Sequence, residues 1–382
     1  MKRENPFRYG APVEAASFCD RATELAALTA RMRDGIHAFV LSPRRYGKTS
    51  LLLEALRRFR KGGGRGGYAN LLLCTTEAEA AGVVLTAVVR EVLRPIGRTR
   101  RSIEDVIGHL RIAPQIEMSP DGKISLTLHP AVGSDRWYEV LEDAVALLER
   151  VGERRPAALV LDEFQQVAEI GPKGLGGAFK ALADQARGTS LVFSGSRLSV
   201  MERLTRGRGA PLLGMGETFN LEVVPEKDMT AHLVARARTG GKRLTRADAR
   251  SLYRRVDGIP NDVQWLAHAA YEAAGDTIDE EAIEAGLASI VRRQAGFFAE
   301  RYESLAPSQQ RIVRELARSP REKVYAKAFL DAVMVANANA VTTALRTLAE
   351  QELVRREGRQ WRLASPFFRA WLLEQLEEPG TA

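Results

Sequence analysis

Residues 37–59 read HAFVLSPRRYGKTSLLLEALRRF, a short apolar run that breaks into Ser42-Pro43-Arg44-Arg45-Tyr46-Gly47-Lys48-Thr49-Ser50 and continues as an amphipathic stretch. The pattern predicts a strand over 37–41, a phosphate-cradling loop, and a helix starting near Lys48. In such a loop the backbone N–H groups wrap a β-phosphate, Lys48 places its ammonium between the β- and γ-phosphates, and the Thr49 hydroxyl ligates Mg2+. Gly47 lets the backbone approach the anion, and the following helix aims the positive end of its dipole at it. Ser42 stands where the pattern G-x-x-x-x-G-K-[ST] opens with glycine, and a small residue can take that turn. A chance Gly-Lys-Thr in a turn is the alternative, against which the flanking strand and helix argue.

A second stretch answers the first. Residues 157–161, AALVL, run straight into Asp162-Glu163. An apolar strand ending in two acids places the carboxylates at the carboxyl edge of an open α/β sheet, where ligands bind. Asp162 is expected to hold Mg2+, usually through water, and Glu163 to polarise the attacking water. Helix capping is the plainer reading of the same acids. A further short strand, 191–193, ends in Ser194-Gly195-Ser196. Ser194 is there either to sense a γ-phosphate or to cap a turn.

The rest of the chain frames these pieces. At 382 residues it suits two or three domains, and 45% hydrophobic with 27% charged residues is the balance of a globular protein. No apolar run approaches the roughly 20 residues that span a bilayer. The opening MKRENPFRYG lacks the apolar core of a secretory signal, so the expectation is a cytoplasmic protein with no membrane partner. The only two cysteines, Cys19 and Cys74, lack C-x-x-C spacing and suggest neither a disulfide scaffold nor a zinc site. A net charge of +8 is compatible with nucleotide, nucleic acid or plain solubility. The run Arg57-Arg58-Phe59-Arg60-Lys61 reads first as a helix C-terminus favourable to the dipole and second as a nucleic-acid contact.

The spacing predicts a buried strand over 68–75, a helix over 78–93, a projecting β-hairpin over 112–129 around Ser119-Pro120-Asp121-Gly122, and a helix over 137–150. From 225 to about 301 the text is helical and reads as a lid. Within it, Asp257-Gly258-Ile259-Pro260 precedes a helix whose N-terminus either abuts a bound nucleotide or simply follows a helix break. Over 302–382 come helices at 307–317, 327–335 and 339–352, a hairpin at 353–363 and a closing helix at 366–376. That order predicts a winged helix-turn-helix. The expected architecture is thus α/β: a P-loop core with a parallel sheet over 1–224, a helical lid over 225–301 and a winged helix over 302–382.

These motifs resemble, over nearly the whole length, the prokaryotic archaeal-type ATPases of the AAA+/STAND branch of P-loop NTPases. The carriers are NPFRYGAPVEAASFCDRATEL, SPRRYGKTSLL, LVLDEFQQV, VFSGSRLSVM, the GIP of Gly258 to Pro260, and WRLASPFFRAWLL. The resemblance implies ATP and Mg2+ as ligands, with Phe18, Asp20 and Arg21 near the adenine, although Asp20 replaces a commoner glycine. Relatives often carry an arginine after Pro-Leu-Tyr-Gly. Here the stretch is Pro211-Leu212-Leu213-Gly214-Met215, leaving Arg203, Arg206 and Arg208 as nearby cations.

The expected function is a Mg-ATP-dependent regulatory switch that hydrolyses ATP to ADP and phosphate slowly until a partner supplies an arginine. The expected partners are ATP and ADP, a protein or a second copy of the chain in a nucleotide-dependent assembly, and, in the alternative reading, DNA. That alternative is a DNA-acting ATPase resembling origin-recognition or transposition helper proteins, with Arg346 on the recognition helix and Arg355, Arg356, Arg359 and Arg362 on the wing. A small-molecule kinase shares the phosphate loop but would need an acceptor pocket and a second anchoring motif.

Overall fold

The structure is a computed structural model that describes residues 4–12, 19, 21–93, 115–118, 124–127, 136–171, 174–186, 188–335 and 337–377. Among them, 19–222 form one compact unit, and 4–12 join 223–377 in the other. Phe18, Asp20 and the predicted Ser119–Gly122 turn lie outside the described residues.

The first unit runs α1 (Ala22–Asp34), β1 (Ala38–Leu41), α2 (Lys48–Lys61), β2 (Arg65–Asn70), α3 (Glu77–Leu93), β3 (Gln115–Met118) and β4 (Ile124–Thr127). It continues with α4 (Trp137–Gly152), β5 (Ala157–Asp162), α5 (Val167–Ile170), α6 (Leu175–Gln185), β6 (Thr189–Gly195), α7 (Leu198–Thr205) and β7 (Glu217–Asn220). Five strands form one parallel sheet in the order β2-β5-β6-β1-β7. Successive side chains on a strand face opposite ways. Phe39, Leu41, Leu159, Leu161, Leu191 and Phe193 therefore enter a core with α3, α4 and α6. Ala38, Val40, Ala158, Val160 and Val192 enter a second core with α1 and α2. Burial on both faces is why β1 and β5 are continuous apolar text.

β2 begins and ends earlier than the predicted 68–75, because its first residues are glycines that close packing requires. A Cβ on Gly66 would sit 2.4 Å from Leu56 Cδ1, and one on Gly67 would sit 3.1 Å from the Ala87 carbonyl oxygen. The apolar Leu72 and Leu73 that suggested more strand are exposed in the loop beyond it. β7, an edge strand of sequence ETFN with exposed residues, carries no apolar signal and escapes the pattern. β3 and β4 pair antiparallel from Gln115↔Thr127 to Met118↔Ile124.

The second unit contains α8 (Glu226–Thr239), β8 (Arg243–Leu244), α9 (Arg246–Arg255), α10 (Pro260–Ala273), β9 (Thr277–Ile278) and α11 (Glu280–Glu303). The two-residue parallel pair β8–β9 is the one sheet element in this otherwise helical stretch, too short to leave a periodic trace. Residues 4–12 lie on α10. There Tyr9 stacks on Trp265 at 5.2 Å, Phe7 meets Tyr271 edge-on at 6.2 Å, and the Gly10 N–H donates to Asn261 Oδ1 at 3.0 Å.

The last part holds α12 (Pro307–Arg318), α13 (Lys327–Ala332), α14 (Ala338–Glu350), β10 (Val354–Glu357), β11 (Gln360–Leu363) and α15 (Pro366–Glu377). Asn337 caps α14 by accepting from the Ala340 N–H at 3.0 Å. β10 and β11 pair antiparallel about a turn in which Gly358 takes φ +58.

Candidate nucleotide-binding site

The sheet order brings the carboxyl ends of β1, β5 and β6 side by side. Register pairs Leu41 with Gly195, Val40 with Ser194, and Leu161 with Phe193. After Leu41 the chain enters the loop 42–47, in which Arg45 (φ +73) and Gly47 (φ +82) are left-handed, and Gly47 caps α2. Ser42, Tyr46, Lys48 and Ser50 are buried, Pro43, Gly47 and Thr49 half-buried, and Arg44 and Arg45 exposed.

Lys48, Thr49, Asp162, Glu163 and Ser194 converge on one carboxylate. Asp162 Oδ1 accepts from Ser194 Oγ at 2.6 Å, from the Glu163 N–H at 2.9 Å and from Lys48 Nζ at 3.2 Å. Its Oδ2 accepts from Tyr68 Oη at 2.8 Å and Thr49 Oγ1 at 2.9 Å. Burial pushes the Asp162 carboxyl up, but the Lys48 charge and the hydrogen bonds from Ser194, Tyr68 and Thr49 outweigh it and hold it below the usual carboxylate range. Asp162 is thus an anion in the pocket floor. Lys48 also reaches Glu163 Oε1 at 3.1 Å. An ammonium has three N–H donors, so two acids leave it one for a phosphate oxygen.

Arg21, expected near the base, braces the loop. Its Nη2 donates to the carbonyls of Tyr46 at 2.9 Å and Glu222 at 2.6 Å, and its Nη1 to Glu24 Oε1 at 3.2 Å. Pro260 belongs to the other compact unit, in the first turn of α10.

Tyr68 and Ser196 were not among the residues picked from sequence. Tyr68 precedes by two residues Asn70, which is in register with Asp162, so its phenol points to the same edge. Burial and then the Asp162 charge push that phenol well up, keeping it a proton donor. A tyrosine in a strand carries no site signal until the β2–β5 pairing is known. Ser196 donates to Glu163 Oε2 at 3.0 Å.

The basic run closing α2 is partly paired within the unit. Arg57 Nε and Arg58 Nε both donate to Glu54, at 2.7 and 2.8 Å, and Arg60 pairs with Glu91 at 2.9 Å. These residues close α2 with cations that favour its dipole, and the two acids balance only part of their charge.

The fit of a nucleotide and its cation rests on this geometry. Ser42 Oγ is buried without a hydrogen-bond partner at the mouth of the loop, and a Cβ on Gly47 would meet nothing within 4 Å. The oxygen donors Thr49 and Asp162 suit a hard cation that keeps several waters and leans on phosphate oxygens.

The family described as "Probable winged helix domain" matches residues 296–374. A Walker-type ATPase of Pyrococcus abyssi superposes with a TM-score of 0.64 at 16% identity, over 93% of this chain and 96% of that one. The ORC2 protein of Aeropyrum pernix in its ADP form superposes with a TM-score of 0.51 at 13% identity, over 97% of each chain. The same protein in its ADPNP-ADP complexes gives 0.50 at 14% identity over 99% of each. No curated protein matches the chain. The chain has the fold of the Walker-type P-loop ATPases, with a parallel five-stranded sheet and a C-terminal winged helix domain.

Proposed function

We propose that the protein is a Mg-ATP-dependent ATPase that works as a nucleotide-driven regulatory switch of the AAA+/STAND kind. The observation that carries this reading is the convergence of Lys48, Thr49 and Ser194 on Asp162, with Glu163 beside them, under a loop whose Ser42 hydroxyl lacks a partner. The 42–50 loop would bind the phosphates of ATP, and Thr49 and Asp162 would hold Mg2+, whose chemistry would be to neutralise charge on the phosphates. Glu163 takes a proton from water as the water oxygen bonds to the γ-phosphorus. The β–γ bridging P–O bond breaks with its electron pair going to ADP. Ser194 orients Asp162 and reads the γ-phosphate. Asp20 and Arg21 bound the nucleotide in this reading.

Turnover is slow until a neighbouring chain or protein partner supplies an arginine, a contribution on the order of 10³ to 10⁵ in rate. Arg203, Arg206 and Arg208, all exposed, are the cations nearest the Met215 stretch in sequence. Gain and loss of the γ-phosphate then bias the lid (225–301) and the winged helix (302–382) between two arrangements in a cytoplasmic, nucleotide-dependent homo-oligomer.

DNA binding by the winged helix is a second reading. What favours it is that Arg356 and Arg359 stand exposed on the hairpin. Calorimetry with Mg-ATP tests the first reading: wild type gives saturable binding, Lys48→Ala loses it, and Glu163→Gln binds without turnover. Equal heats from wild type and Lys48→Ala would overturn it.

A further inference from the structure

Glu163 is held by its backbone conformation and by two side-chain donors. It takes a left-handed conformation, φ +55 and ψ +39, directly after β5, and the chain then tightens into a 3₁₀ turn over Phe164–Gln166. A non-glycine residue persists there only where its surroundings over-determine it. Those surroundings are Gln165 and Ser196. Gln165 Nε2 donates to Glu163 Oε2, and Ser196 Oγ donates to the same oxygen at 3.0 Å. Gln165 Oε1 accepts from the Ser196 backbone N–H at 3.2 Å. A backbone N–H can only donate, so this contact fixes the amide with its NH2 end toward the carboxylate.

The packing is built around that amide. Gln165 is 2% exposed. A Cβ on Gly195 would sit 2.4 Å from Met201 Cγ and 2.8 Å from Gln165 Oε1, so a side chain there would displace Met201 and press on the amide. The carboxylate is thereby divided: Oε2 is committed to two donors from the turns that follow β5 and β6, while Oε1 faces Lys48 at 3.1 Å.

We propose that Gln165 and Ser196 are positioning residues for Glu163, which by occupying Oε2 make Oε1 the oxygen that takes the proton of the attacking water. The inference rests on the ATPase reading and specifies its base down to one atom. The bookkeeping is that of the hydrolysis itself: one water O–H breaks, its proton goes to Oε1, and the new P–O bond forms as ADP departs. Gln165 and Ser196 exchange no proton and touch no reacting atom.

The test is a donor–acceptor swap. Gln165→Glu keeps the shape and the acceptor facing the Ser196 N–H, but sets a carboxylate against a carboxylate. It should lower the thermal unfolding midpoint of the ligand-free chain and reduce turnover by about 10- to 100-fold, the scale of a misplaced catalytic group. Affinity for Mg-ADP should stay within about twofold of wild type, as expected of a lost transition-state interaction. Adding Glu163→Gln to Gln165→Glu restores a donor–acceptor pair and should recover the midpoint, a non-additivity that independent sites do not show. Ser196→Ala should cut turnover in the wild-type background and do nothing further in Glu163→Gln. Additive midpoints, or turnover unchanged or raised in Gln165→Glu, would overturn the proposal. Those outcomes leave nucleotide binding and its loss in Lys48→Ala intact, so they are distinct from failure of the ATPase reading.

Discussion

Asp257 and Arg355, nearly a hundred residues apart in sequence, form an ion pair at 3.2 Å that ties the turn before α10 to the first strand of the wing. Arg362 approaches the same carboxylate at 3.5 Å, and Glu357 takes both arginines, at 3.2 and 3.1 Å. Asp257 itself is left-handed at φ +51, next to Gly258 at φ +66. With Arg355 only 10% exposed, Asp257→Ala takes one acid away from a half-buried guanidinium that keeps its pairing with Glu357. The expected loss is about 1–3 kcal/mol, read as a lower urea midpoint. An unchanged midpoint would mean that the pair does not hold the wing to the lid.

Arg21 ties the phosphate loop to the end of the first unit by donating one nitrogen to two carbonyls, Tyr46 and Glu222. Arg21→Ala should weaken binding of a fluorescent nucleotide about tenfold, about 1.4 kcal/mol. Arg21→Lys should not rescue it, because an ammonium lacks the planar fork. Rescue by lysine would reduce the role to charge alone.

Tyr68 gives Asp162 Oδ2 one of its two side-chain donors. Removing it in Tyr68→Phe leaves the fold and loosens the carboxylate that Thr49 must share. Half-saturating Mg2+ in nucleotide binding should rise about 10-fold, the lower end of what outer-shell partners of metal ligands contribute. Identical Mg2+ titrations for the two proteins would remove Tyr68 from the site.

What was legible in the sequence follows from which signals are local. Residues 37–50 and 157–163 carry their meaning in contiguous letters, because a strand buried on both faces and a loop fitted to an anion each demand particular residues in order. The order β2-β5-β6-β1-β7 is not local, and with it went Tyr68 and Ser196, whose roles depend on which strands are neighbours. β7 escaped because ETFN earns its place by pairing with β1 and not by burying apolar side chains. The wing arginines also depend on contacts that are not local. Four cations in a hairpin read as a phosphate grip, yet Arg355 and Arg362 turn inward to acids that lie far away or on the strand itself.

His232 on α8 provides a pH-dependent probe of the second unit. Burial, then the charge of Arg236 one turn on, lowers its pKa from 6.5 to about 4. Its Nε2 is buried without a hydrogen-bond partner. Between those two values the unfolded chain binds a proton that the folded chain refuses, so stability falls as pH drops from 6.5 toward 4. The slope attributable to this group is at most about 1.4 kcal/mol per pH unit. His232→Gln should flatten that window in urea unfolding and change nothing above neutrality. A wild-type slope kept in the variant would assign the titration elsewhere.

The wing makes the DNA reading decidable, because its cations divide into two kinds. Arg356 and Arg359 are exposed, whereas Arg355 and Arg362 are engaged with Asp257 and Glu357. If the winged helix grips a duplex, each exposed arginine that neutralises a phosphate contributes about 0.9 to the slope of log affinity against log salt. The double variant Arg356→Ala with Arg359→Ala should then lose roughly two units of slope, while leaving nucleotide binding and the unfolding midpoint alone. Arg355→Ala should act the other way, lowering the midpoint with little change in slope. Unchanged DNA affinity in the double variant, or no binding by wild type at low salt, would leave the winged helix as a docking module for protein.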